Sequence, residues 1–244
     1  MLVVDILGSI DEKIENNEKI IDDLLLKLRF EYSKRFAFRS DLPLVPLSDF
    51  IYSTIGGDWG MDTLEKNFTE RVICIRGADI PEMASGRNGN PPVRYILKKN
   101  CEAKQLSDFE IIVEISGGSP TQSTGRCALI TSALIAQYDC PVICTNFCRA
   151  LRCKTKEYAA FVYSAFSQLY YDDVFFNYEN GTTGIKNLDL QSILEREYVC
   201  MPTEKELTSF YEYTNNSYLR VTQLKNENAK LQELKQLYLR KFFG

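Results

Sequence analysis

The chain has 244 residues, 45% hydrophobic and 25% charged, ordinary globular material with room for one large domain plus extended helical parts. It contains no histidine, which excludes Ser–His–Asp and Cys–His catalysis and every zinc site that needs an imidazole. The formal net charge of −4 argues weakly against a polyanionic ligand, but a net charge hides its distribution along the chain. No run of eighteen apolar residues is present, so no membrane span is expected. Asp5 interrupts the opening apolar run and no basic residue precedes it, so no secretory signal is expected and the protein is read as cytoplasmic. Its eight cysteines (Cys74, Cys101, Cys127, Cys140, Cys144, Cys148, Cys153 and Cys200) are then expected to be reduced thiols. The spacings among Cys144, Cys148 and Cys153 are not those of structural zinc knuckles, so inert thiols and no metal are predicted.

A helix is predicted over residues 5–36. Leu7, Ile10, Ile14, Asn17, Ile21, Leu24 and Leu28 recur at spacings of three and four, the a/d seam of a coiled coil. Asp11, Glu12, Lys13 and Glu15 suit the solvated outer face. Asn17, polar on an apolar seam, is expected to fix register at some cost in stability. Pro43 and Pro46 end the pattern, so residues 1–41 are assigned to an N-terminal helical segment.

Residues 42–202 change character. Short β-branched stretches at Val72–Ile75, Ile111–Ile115, Ala128–Thr131 and Val142–Thr145 are predicted strands. Loops rich in Gly, Ser, Pro and Asn cover 56–60, 84–92, 116–126 and 179–184. Residues 156–171 carry Ala, Phe and Leu at helical spacing. The expected fold class is α+β, a strand-and-loop domain between two long helices that form a coiled coil. Residues 71–105 hold seven bases against three acids, and residues 117–156 hold five against one, each net +4; residues 1–32 are net −4. Positive charge on the loops and negative charge on the helix is the footprint of phosphate binding by the central domain.

The last segment, residues 203–244, repeats the helical theme. Thr203 follows Pro202 and stands three residues before Glu206, a capping box. Leu224, Leu231 and Tyr238 recur every seven residues, with Leu234 and Leu237 between them. Each terminal helix would be roughly 50 Å long. A narrow stripe of that length has little to pack against except another helix; the competing arrangement folds both helices back onto the domain core.

Three motifs tempt toward enzymology. Asn90-Pro91-Pro92-Val93 is similar to the base-gripping loop of amino-methyltransferases, but Val93 stands where an aromatic residue would stack. Gly118 to Arg126 resembles a phosphate-binding loop, yet six residues rather than four separate its glycines and Arg126 replaces the lysine. The cluster Gly56-Gly57-Asp58-Trp59-Gly60 has no helix signal behind it. None supports a nucleotide site.

Taken in series, the same stretches resemble the specificity subunit of Type I restriction–modification systems. The series runs from Gly56-Gly57-Asp58-Trp59-Gly60 through Arg71 to Ile80 and Pro91-Pro92-Val93-Arg94-Tyr95. It continues through Glu114 to Arg126, Thr145-Asn146-Phe147-Cys148-Arg149, and Gly181 to Leu188. Ile6 to Glu18 is similar to the helical spacer of those subunits. The resemblance covers nearly the whole chain. It implies a target-recognition domain that reads half of a bipartite site in double-stranded DNA. It also implies a DNA adenine methyltransferase partner carrying S-adenosylmethionine, and a restriction subunit that cleaves. By the same resemblance the chain itself is not an enzyme and holds no cofactor. Only one recognition domain is evident, so a half-length form is implied, pairing with itself as a homodimer or with another half-subunit.

Arginine grips guanine bidentately, Asn and Gln suit adenine, and Lys, Ser and Thr hold phosphates or supplement base contacts. On that chemistry the expected DNA contacts are Arg76, Arg87, Arg94, Lys98, Lys99, Gln122, Thr124, Arg126, Asn146, Arg149 and Lys186. A surface or structural role for each remains open at this stage. So does a coiled-coil scaffold whose central domain binds another protein.

Overall fold

The computed structural model describes residues 2–119, 121–181 and 185–243. Helix α1 (Leu2–Tyr32) runs unbroken through the predicted heptads and widens into a π-helical turn at Ser33–Ala37. The chain then forms β1 (Leu44–Pro46), a 3-10 turn, β2 (Ile51–Gly56), β3 (Phe68–Ile75), α2 (Ile80–Ala84), β4 (Val93–Leu97) and α3 (Lys98–Lys104). Next come β5 (Ile111–Glu114), β6 (Ser116–Gly117), β7 (Cys127–Leu129), α4 (Ser132–Ile135), β8 (Val142–Cys144), β9 (Cys148–Cys153) and α5 (Lys156–Tyr171). A 3-10 turn at Val174–Tyr178 leads to β10 (Glu179–Asn180), β11 (Lys186–Leu188), α6 (Leu190–Arg196), β12 (Tyr198–Cys200) and α7 (Glu204–Phe243). The Thr182-Thr183-Gly184 part of one motif, and Pro120 of another, lie outside the described residues. No described helix is long and apolar enough to cross a membrane.

The middle of the chain builds a four-stranded antiparallel sheet, β2-β9-β5-β7, and a three-stranded sheet, β4-β3-β8, in which β3 and β8 are parallel. Both predicted apolar runs at their centres are buried on two sides, which is why they do not alternate. In β5, Ile111 and Val113 face one hydrophobic cluster while Ile112 faces a second. In β3, Ile73 and Ile75 join that second cluster and Val72 and Cys74 a third. Two short pairings close the domain: β1 with β12, and β10-β11-β6. Helix α5 spans the predicted residues, with the Thr155 hydroxyl accepting the Tyr158 N–H as its N-cap.

The two long helices are antiparallel. Arg39 pairs with Glu206 at one end, Asn17 bonds Asn228 midway, and Lys235 reaches Asp11 toward the other end. Ile10, Ile14, Asn17, Ile21 and Leu28 are buried on the α1 seam, with Leu7 and Leu24 half-buried. On α7, Leu224 is buried while Leu231 and Tyr238 are half-buried. Leu234 and Leu237 correct the sequence expectation, being 40% and 63% exposed. Leu234 borders Asp5, Ile6, Ser9 and Ile10 of α1 without being enclosed by them. The capping box forms as read: Thr203 N–H donates to Glu206 Oε2 at 2.9 Å, and Glu206 N–H donates to Thr203 Oγ1 at 3.3 Å.

The two arrangements left open by the heptads divide the helices between them. The distal halves pair with each other, whereas Leu28, Tyr32 and Phe36 join Leu207, Phe210 and Tyr218 inside the main domain core. Phe36 meets Phe161 and Phe210 edge to face, with ring centroids 5.2 and 5.3 Å apart.

Candidate nucleic-acid interface

The glycine cluster between β2 and β3 is strapped to the sheet next to it. Asp58 N–H donates to the Cys144 carbonyl at 2.9 Å, and a β-carbon on Gly57 would sit 2.0 Å from the Thr145 carbonyl oxygen. Only glycine allows that approach. From α3, Asn100 donates to Asp58 at 2.6 Å and Lys104 to the Gly57 carbonyl at 2.8 Å. Arg94 locks the other side. Its Nε donates to the Trp59 carbonyl at 2.8 Å, its guanidinium carbon lies 4.0 Å from the Trp59 ring centroid, and it also pairs with Asp62.

Beneath the loops lies a buried ion pair. Arg126 grips Glu114 with Nε at 2.8 Å and Nη2 at 2.6 Å, and Glu114 is 3% exposed. β-carbons on Gly77 and Gly117 would fall 2.6 and 2.7 Å from Glu114 Oε1. Two glycines from separate motifs therefore serve one purpose, letting backbone close over this carboxylate. Arg76 is held in the same manner by Asp79, through its backbone N–H and Nε at 2.9 Å and Nη2 at 3.0 Å. Burial alone would raise the Asp79 pKa, but the Arg76 guanidinium and the N–H groups of Arg76 and Asn90 hold it below the ordinary value.

A cleft of about 510 Å³ opens over this frame, lined by Trp59, Arg76, Gly117, Asn146, Phe147 and Ile185 among others. Phe147 is 51% and Ile185 65% exposed. Arg149 stands beside it on β9, opposite Gly56 of β2, with its side chain exposed. Lys98 and Lys99 are exposed at the start of α3.

The predicted contact residues therefore fall into distinct groups. Asn146 and Arg76 line the cleft, Arg149 is exposed beside it, and Lys98 and Lys99 are exposed at the start of α3. Lys186 donates to the buried Glu179 at 2.6 Å, and Glu179 also accepts the Thr124 N–H at 2.5 Å. Gln122 donates to the Tyr170 hydroxyl at 3.2 Å and is exposed. Arg87, weakly paired with Glu82 at 3.5 Å, lies beside α7, away from the cleft. Arg94 and Thr124 are 4% and 0% exposed. Because neither reaches the surface, the expectation of a groove contact is not carried forward for these two. Phe147 and Ile185 were not singled out from the sequence, although the turn between β8 and β9 marks Phe147 as a loop-tip residue.

All eight cysteines are unpaired thiols. Burial pushes Cys74, Cys127 and Cys148 up to about 12, which keeps them protonated and unreactive. Among the described residues no three His, Cys, Asp or Glu gather as metal ligands.

No family model and no curated protein matches the sequence. Solved structures do match the fold. The crystal structure of a Type I restriction–modification system S subunit from M. genitalium superposes with a TM-score of 0.60 at 15% identity, covering 100% of this chain and 60% of that one. The fold is that of a specificity subunit. A second solved structure, described as showing complex assembly and conformational transition of the Type I system, matches with a TM-score of 0.50 at 12% identity over 98% of this chain and 56% of that one. The chain thus spans little more than half the length of the specificity-subunit structures it matches. It contributes the α+β domain and the two long helices expected from the heptads.

Proposed function

We propose that this protein is a DNA sequence-recognition subunit of a Type I restriction–modification complex, reading one half of a bipartite site. The observation that carries this reading is the match of the entire chain to a specificity-subunit fold, with a polar and aromatic cleft over its loop-rich domain. Arg149, Lys98, Lys99 and Asn146 are exposed and offered to a duplex, whereas Gln122, Arg76 and Lys186 are already held by Tyr170, Asp79 and Glu179; lysines hold phosphates, while Arg, Asn and Gln read base edges. Methylation with S-adenosylmethionine and DNA cleavage belong to partner methyltransferase and restriction subunits, and this chain is not itself catalytic. On this reading the chain acts in the cytoplasm as a homodimer or paired with another half-subunit.

Adenine-methylation profiling of cells co-expressing the chain with its methyltransferase partner tests the reading. An interrupted palindrome is expected from a homodimer and an asymmetric motif from a mixed pair; no methylated motif at all, with both proteins soluble, would sink it. Fluorescence polarisation on that duplex supplies the residue-level check. Lys98→Ala with Lys99→Ala should lower the slope of log affinity against log salt by about 2, and Arg149→Ala should weaken binding by about 1–3 kcal/mol if it reads a base.

A further inference from the structure

A second cleft, about 440 Å³ and within the size range of small-molecule sites, lies where the helix pair joins the domain. Its walls come from α1, α2, α5 and α7, and they are mainly aliphatic and aromatic, with Leu25, Pro81, Tyr163 and Tyr170 facing the space. One cation lines it without an anion. The Arg29 guanidinium carbon is stacked 3.5 Å from the Tyr171 ring centroid, and its Nε–H is closed to solvent with no acceptor among the described residues. A buried charged donor left unpaired is costly, on the order of 1–3 kcal/mol. Arg126 also borders the cleft, but its fork is already engaged by Glu114. Asp22 lies seven residues before Arg29 on α1, roughly 10 Å along the axis, and makes no ion pair with it among the described residues.

We infer that this cleft is a binding site for a small aromatic anion, a flat ring bearing a carboxylate or a phosphate, with the anion on Arg29 and the ring among the tyrosines. Stacking on Tyr171 fixes the guanidinium plane, so the two terminal amino groups, rather than the closed Nε–H, are the donors available to the oxygens of a ligand. Asp22 is the one carboxylate lining the space, and Arg29 is the lining cation that has no acidic partner among the described residues. A ligand in this position touches α1 and α5 together and ties the helix pair to the domain.

Isothermal titration with matched probes tests the site. The pairs are 4-hydroxyphenylacetate against 4-hydroxyphenylacetamide, and AMP against adenosine, with acetate and inorganic phosphate as ring-free controls. One anion is expected to bind about ten-fold or more tighter than both its neutral twin and its ring-free control, as one charge-assisted hydrogen bond supplies. Which pair discriminates identifies carboxylate or phosphate. Arg29→Gln should erase the difference between the twins, and Ala84→Trp, which fills the cleft from its α2 side, should abolish binding of both. Circular dichroism checks that each variant folds; if Ala84→Trp does not, Arg29→Gln alone decides. Equal binding of charged and neutral twins, no binding of either anion at millimolar concentration, or discrimination that survives Arg29→Gln would each overturn the inference.

Discussion

At the base of the helix pair, Tyr32 and Phe36 of one strand of chain and Phe210 of the other enclose Phe161 of α5, and Phe36, Phe161 and Phe210 are almost without solvent exposure. Toward the tip the same two helices touch only each other. There the seam passes through Asn17, which is fully buried and donates to Glu227 and Asn228 at 3.0 and 2.8 Å, and beyond it Leu237 stands in solvent. The difference is one of neighbours rather than of helical propensity. At the base a helix residue is part of a domain core and inherits its cooperativity, while at the tip it has one partner helix and water. Local opening should therefore begin at the tip, and amide hydrogen exchange should report it as the less protected half.

The largest way to break that contrast is to truncate each region in turn. Phe210→Ala at the base should cost about 3–5 kcal/mol, the range for a buried aromatic ring replaced by a cavity. Leu231→Ala, half-buried at the tip, should cost about 1 kcal/mol. Urea denaturation midpoints measure both, and equal losses would mean that the tip is as integral to the core as the base.

A smaller effect of opposite sign is expected at Asn17. Its side-chain oxygen is buried with no partner, and its two acceptors, Glu227 and Asn228, reach solvent enough to be hydrated once freed. Asn17→Leu should stabilise the pair by about 1 kcal/mol, removing an orphaned acceptor and adding apolar burial, while loosening the register that a buried polar residue enforces. A melting temperature that falls would show instead that the Asn17 layer is a net stabiliser of the tip.

Much of this frame could be read from the letters because it depends on local spacing. The heptads placed both long helices, Thr203 and Glu206 announced a capping box that forms, and residues 156–171 gave α5. The pairing of Leu44–Pro46 with Tyr198–Cys200 was not legible, since three-residue strands more than 150 positions apart carry no periodic signal. Leu234 and Leu237, 40% and 63% exposed, show the limit of a one-sided heptad: it predicts a stripe without knowing how much of it the facing helix covers. At the candidate interface, charge by segment pointed to the domain that carries the cleft, yet the sequence could not tell which cations are committed inward. Arg126 belongs to Glu114 and Arg76 to Asp79 because sheet packing brings those carboxylates under the loops. The exposed Phe147 carries no charge, so the charge pattern of its segment gives no sign of it.

The smallest expected effect tests where the base begins. Glu206 closes the α7 capping box and also receives Arg39, 2.8 Å away, from the end of the first helical segment. The Arg39 guanidinium chiefly, then the Thr203 hydroxyl and N–H, hold its carboxyl down at about 2 against an ordinary 4.5. A carboxyl depressed in the folded state contributes stability that is complete above its unfolded pKa and is lost as pH falls through its folded one. The window therefore runs from about pH 4.5 down to about 2. Because the group is largely solvated, the Coulombic part is screened, and cap and ion pair together should be worth only about 0.5–1 kcal/mol. Glu206→Gln should lose that amount at pH 7 and show a correspondingly flatter decline in stability below pH 4.5, read from denaturation midpoints across the acid range. If wild type and variant fall in parallel there, Glu206 does not fasten the base, and the acid sensitivity of the fold lies elsewhere, with the depressed carboxyl of Asp79 as the first place to look.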